Sequence, residues 1–76
     1  MFGYAIKVGE VSIVLFRKDR VSPKVHFNEN EDLFRKVFDD KSFENIKNRM
    51  ISIDNSDIVM FGLTNGFGSI RKVNKQ

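Results

Sequence analysis

Two runs of alternating side chains open the protein. Tyr4, Ile6 and Val8 recur at every second position before Gly9-Glu10, and Val11, Ile13 and Leu15 do so after it. Glycine at the first position of a two-residue loop suits a type II′ turn, whose twist matches that of the strands it joins. Pairing Val8 with Val11 sets Ile6 opposite Ile13 and Tyr4 opposite Leu15 on one face. The other face then carries Lys7 opposite Ser12, Ala5 opposite Val14 and Gly3 opposite Phe16. A slip of one residue would turn the apolar set to the wrong face, so the pattern specifies the register as well as the hairpin.

Beyond Lys18-Asp19-Arg20, the stretch Val21–Phe27 alternates again, with Val25 and Phe27 on one side and Lys24 and His26 on the other. This predicts a third strand, and Pro23, which cannot donate to a ladder, places it at a strand start or an edge. The period then changes. Leu33, Phe34, Val37 and Phe38 form one stripe of a short helix within Asn28–Asp40. Asn28 or Asn30 can cap it, and Glu29, Glu31 and Asp32 suit the positive end of its dipole. A second helix is predicted from about Ser42, with Phe43, Ile46 and Met50 on one face and Asp40 or Ser42 as its cap. Helices this short are not stable alone and must be docked on something.

Ile51–Ile53 alternates briefly and reads as an extra short strand before the turn residues Asp54-Asn55-Ser56-Asp57. Ile58-Val59-Met60-Phe61 is apolar without alternation, the pattern of a strand covered on both faces. Asn65-Gly66 suits a type I′ hairpin turn. It would pair Thr64 with Phe67, Phe61 with Ile70, Val59 with Lys72 and Ile58 with Val73. The last strand, about 67–73, carries charge and reads as lying nearer an edge, with a fraying end from Val73 to Gln76. The expected fold is therefore α+β: an antiparallel sheet of about five strands, in the order β-β-β-α-α-β-β, with two short helices packed on one face.

Length and composition narrow the function. A chain of 76 residues is a single domain, 1–76. At that size a chain buries roughly 60–65% of its unfolded surface, too little for a multi-domain enzyme or a doubly wound nucleotide-binding fold. The absence of Cys removes disulfide scaffolds, thiolate zinc sites and Cys nucleophiles. Apolar residues at 41% and charged residues at 30% belong to a folded domain, not to a disordered tail. No apolar run approaches ~18 residues, so neither a membrane span nor a signal peptide is expected, and the expected location is cytoplasmic. Phe, Ile, Asn, Lys, Met and Tyr, whose codons are A/T-rich, supply 34 of the 76 residues, which fits a low-GC bacterium or a phage.

Charge is uneven. Segment 28–57 holds eight acids and five bases, and the remainder holds eight bases and two acids, for a net +3 overall. Arg17, Lys18, Arg20 and Lys24 surround one loop, while Arg71 and Lys72 lie on the last strand. If those strands were neighbours, these six residues would form one positive surface for an anion or an acidic partner. The plain alternative is that they keep loops and edges soluble and discourage edge pairing.

No catalytic constellation emerges. Thr64-Asn65-Gly66-Phe67-Gly68-Ser69-Ile70 contains the Gly-Phe-Gly core of the RNA-recognition-motif signature. Ser69 and Arg71, however, occupy the positions where stacking aromatics are required, and the hairpin turn accounts for both glycines. Gly66-x-Gly68 lacks the third glycine and the following helix of a dinucleotide fingerprint. Ser42, Ser56 and Ser69 have no nucleophile-elbow context. Asp54-Asn55-Ser56-Asp57 lacks the glycine and distal glutamate of a calcium loop, and adjacent Asp39 and Asp40 point apart, so neither a metal site nor a carboxylate dyad is expected. His26, the only histidine, is expected to face outward beside Lys24 as an ordinary surface residue.

What stands out is aromatic weight, with eight Phe and one Tyr. Most fall on apolar faces and belong to the core, but the predicted register turns Phe16 away from it, together with Ala5 and Val14. Two short helices can cover one face of the sheet and not both. Ala5, Val14 and Phe16 are therefore the expected hydrophobic docking residues, unless the third strand or the C-terminal tail folds over them. The sequence points to a small non-enzymatic protein–protein interaction module without cofactor or metal. Such a module would dock on a larger protein or on itself as a homodimer, and its size and composition fit a phage or mobile-element accessory regulator or inhibitor. A nucleic-acid binder using the six basic residues is the alternative, and a metal-independent ribonuclease built on His26 a remote one.

Overall fold

The computed structural model describes residues 1–53, 56–63 and 66–74. Among these the order is β1 (Phe2–Val8), β2 (Val11–Arg17), α1 (Pro23–Glu29), α2 (Glu31–Val37), α3 (Asp40–Ile51), β3 (Ile58–Leu63) and β4 (Gly66–Asn74). The fold is α+β, with one four-stranded antiparallel sheet in the spatial order β2-β1-β4-β3 and three helices. The first hairpin has the register its alternation predicts, from Val8 opposite Val11 to Gly3 opposite Phe16.

The predicted third strand at 21–27 is instead a helix. Ser22 has extended backbone and its Oγ accepts from the Val25 N–H, while Pro23 takes the first helical position, where its missing N–H costs nothing. Apparent alternation in so short a stretch was outweighed by this Ser-Pro start signal. Asn30 closes α1, its side-chain amide donating to the His26 carbonyl at 2.8 Å. The predicted single helix over 28–40 shortens to α2, with Phe34 and Phe38 buried and Leu33 exposed. Asp39, not Asp40 or Ser42, caps α3: its Oδ1 accepts from the Ser42 N–H at 2.8 Å. That bond holds the Asp39 carboxyl below the usual carboxylate range. Phe43, Ile46 and Met50 are buried as their spacing predicts. The expected short strand at 51–53 does not form, because Ile51 completes α3 and Ile53 tucks into the core from the following loop.

β3 and β4 pair as a hairpin two residues out of the predicted register: Phe61 lies opposite Gly68 and Val59 opposite Ile70. Gly68 decides this, because the Phe61 ring occupies the space a Cβ there would need. Gly66, expected in the turn, belongs to β4 and pairs with Leu63, and Val73 and Asn74, expected to fray, pair with Gly3 and Phe2. The predicted turn residues Asp54-Asn55 and Asn65, the Thr64 pairing and the fraying ends at Lys75 and Gln76 lie outside the described residues. β4 is an interior strand and not an edge, since it also pairs with β1 along its length. β3 and β2 are the edges, and β3 is covered on one face only: Phe61 is buried while Ile58 and Met60 are exposed.

Tyr4, Ile6, Ile70 and Phe61 point to the same side of the sheet, where the helices bring Phe27, Phe34, Phe38, Phe43, Ile46 and Met50 against them. Phe27 stacks at tilted angles on Phe34 and Phe43, with centroids 5.3 and 5.4 Å apart. Among the described residues the fully buried apolar volume therefore lies between the helices and one face of the sheet. Among the described residues no helix is long and apolar enough to cross a membrane.

Candidate functional site

The opposite face of the sheet is the candidate site. Strand parity places Gly3, Ala5 and Lys7 of β1 there, with Ser12, Val14 and Phe16 of β2. β4 adds Phe67, Ser69, Arg71 and Val73, and β3 adds Ile58, Met60 and Gly62. Cross-strand rows run Phe16–Gly3–Val73, then Val14–Ala5–Arg71–Ile58, then Ser12–Lys7–Ser69–Met60. Exposure is high for apolar residues: Phe67 is 73% exposed, Met60 63%, Val14 52%, Ile58 50% and Phe16 39%.

Ala5, Val14 and Phe16, expected on the uncovered face, do lie on it, with Ala5 half-buried between neighbouring strands. Gly3 is buried on the same face because the Leu15 carbonyl and the Phe16 ring stand where its Cβ would be. Sequence reasoning missed Ile58, Met60 and Phe67. The apolar run at 58–61 reads as doubly covered in one dimension, and only the pairing of β4 with β1 shows that these residues join the Phe16 face. The available signal was the alternation of Phe67, Ser69, Arg71 and Val73.

The six bases do not assemble. β2 and β4 flank β1 and do not neighbour each other. Arg17 lies on the helix side at the end of β2, where its guanidinium pairs with Asp19 at 2.9 Å and with Glu29 of α1. The hydrogen bonds Arg17 donates, to Asp19 first and then to Glu29, push its pKa further up, and Asp19 is held below its ordinary value in return. Arg20 stacks over the Phe2 ring at 5.3 Å. Lys18 and Lys24 are exposed on separate elements. Arg71 faces the open side, while Lys72 faces the helix side and lines the same cleft as His26. Among the described residues the charge that remains on the open face is Lys7 and Arg71, both on interior strands, with no acid among its strand residues.

His26 is not the outward residue its alternation suggested. On α1 it is 1% exposed and meets Tyr4 edge-on, with centroids 4.9 Å apart and rings inclined at 76°. Its Nδ1 is buried with no hydrogen-bond partner among the described residues. Burial, then the charge of Arg17, pushes its pKa below the ordinary 6.5, against the opposing pull of Glu29 and Asp19. It lines a cleft of about 550 Å³ with Phe2, Tyr4, Arg20, Pro23 and Lys72. Among the described residues no three His, Asp or Glu side chains gather to hold a metal ion. No protein-family model, curated protein or solved structure matches this chain.

Proposed function

We propose that this protein is a small binding module that works by docking, not by catalysis, and that its open sheet face seats another protein. The observation that carries the reading is the exposed apolar set of Val14, Ile58, Met60 and Phe67, which strand pairing places on one face of the sheet. Removing a side chain of this size from water is worth roughly 1.5–3 kcal/mol. Exposed apolar side chains gathered on one face are a mark of interaction sites.

Lys7 and Arg71 select the partner's chemistry. They stand among the apolar rows with no acid beside them on that face among the described residues, so a complementary surface is apolar with acidic groups near its centre. A second copy stacked face to face would bring like charges together and is disfavoured for the same reason. A regulator or inhibitor acting by occupancy, as a phage or mobile-element accessory protein would, fits this arrangement.

The test is affinity capture from the native host with the wild type, with Met60→Glu and Phe67→Glu on the open face, and with Lys24→Glu on the helix side. A partner retained by the wild type and Lys24→Glu, lost with both open-face variants and released by salt supports the reading. Capture indifferent to Met60 and Phe67 overturns it. So does a salt-sensitive gel shift of single-stranded nucleic acid that the same two variants abolish, because bases also stack on exposed aromatics flanked by cations.

A further inference from the structure

We propose that the outer edge of β2 is a self-pairing edge, on which a second copy of this chain adds antiparallel about Ile13 and extends the sheet across a two-fold axis. The argument concerns the strand's edge and is independent of what docks on the open face.

The main-chain geometry settles which groups point outward. The Gly9 N–H reaches the Phe67 carbonyl, so odd-numbered residues of β1 direct their main-chain groups to β4 and even-numbered ones to β2. Val8, Ile6 and Tyr4 thus bond to Val11, Ile13 and Leu15. It follows that the N–H and C=O of Ser12 and Val14 point out of the sheet. An antiparallel partner centred on Ile13 sets Ser12 opposite Val14 of the second copy and Val14 opposite its Ser12. Each such pair exchanges two main-chain hydrogen bonds.

Side chains favour the same register. Proteins guard sheet edges with charge, proline, bulges or a covering element. Between Val11 and Phe16 the β2 edge has no charge, no proline and no bulge. Its helix-side residues are poorly covered: Ile13 and Leu15 are only half-buried and Val11 is exposed. Self-pairing about Ile13 sets Ile13 against its own copy and Val11 against Leu15, an entirely apolar row on that side. Charge also agrees, since Lys7 and Arg71 stand on interior strands and do not confront their copies across this edge. β3, the other edge, is uncharged too, but α3 packs on it, its helix-side Phe61 is already buried, and Gly62 leaves a gap in its outer row.

Light scattering across the micromolar range reads the subunit count, and amide hydrogen exchange reads the edge. The expected result is a dimer whose Ser12 and Val14 amides gain protection as concentration rises. Val14→Pro removes an outward N–H without touching the β1–β2 ladder and should raise the dimer dissociation constant about tenfold or more. Ser12→Lys, which places a cation at the seam, should do the same and serves if the proline variant does not fold. A monomer at the highest concentration overturns the proposal. A dimer whose Ser12 and Val14 amides exchange as fast as in dilute solution overturns it as well. Partner capture through Met60 and Phe67 is read separately, so either reading can fail without the other.

Discussion

Gly68 lies directly under the Phe61 ring, and a Cβ at this position would overlap Phe61 Cε2 and Cζ. The ring is the far end of a side chain that is 3% exposed and held on the β3–β4 ladder, so it has little room to give. Gly68→Ala should therefore destabilise the fold by about 1–3 kcal/mol through overpacking, and Gly68→Val by more. Urea titration checks this. An unchanged midpoint for Gly68→Ala would show that the ring can swing aside.

The two faces of the sheet should respond oppositely to truncation. Phe61→Ala empties a buried site and should cost about 3–5 kcal/mol. Phe67→Ala and Met60→Ala remove side chains that are mostly in water and should stay within about 0.5 kcal/mol of the wild type. Thermal or denaturant unfolding measures both, and a large loss for Phe67→Ala would mean that the open face is covered after all.

His26 makes stability depend on pH. Its folded-state pKa lies below the ordinary 6.5 because the buried imidazole resists protonation between Tyr4 and the positive Arg17. The unfolded chain binds the proton more readily, so stability is full above about 6.5 and falls as pH drops below that value. Urea midpoints measured down through this range should decline for the wild type and decline less for His26→Leu. Glu29 and Asp19 act against the shift, so neutralising Glu29 should steepen the wild-type decline.

Arg17 ties the end of β2 to α1 through Glu29 and to its own loop through Asp19. Arg17→Met should loosen α1 against the sheet and raise amide exchange near Pro23–Glu29. The whole cluster is accessible to solvent, so the stability difference between variant and wild type should shrink as salt is added. A salt-independent difference would assign the effect to packing of the Arg17 stem.

Helix starts carry local weight. Ser22→Ala leaves the Val25 N–H without its side-chain acceptor and should cost about 0.5–2 kcal/mol. For Asp39, stability from the cap is present above its ordinary pKa and lost as pH falls through the depressed folded-state value. Asp39→Asn should keep the capping oxygen and flatten that acid limb in a denaturation series.

Reading the chain in one dimension succeeded where neighbours in sequence are neighbours in space. The β1–β2 register follows from period-two alternation across a two-residue turn, and the α3 core residues from period 3.6. It failed at Val21–Phe27, where Ser22-Pro23 is a helix start that outweighs a brief alternation, and at β3–β4, where alternation is silent about shifts of two residues. Such a shift preserves the face and is decided by volume, here the fit of Phe61 over Gly68. Half of the open face was legible for the same reason: Ala5, Val14 and Phe16 follow from the hairpin alone.

By itself, then, the order of residues determined the first hairpin, the helical middle and the existence of an apolar face that these helices do not shelter. Only the tertiary structure decided that β4 inserts between β1 and β3. That pairing adds Ile58, Met60 and Phe67 to the Phe16 face and keeps Arg71 and Lys72 a strand away from β2, while the docking of α1 buries His26 against Tyr4. The physical reason is that periodicity records which side of a strand faces water, whereas strand order and burial depend on contacts between segments far apart in the chain. Those contacts are chosen by shape, and shape leaves little trace in local pattern.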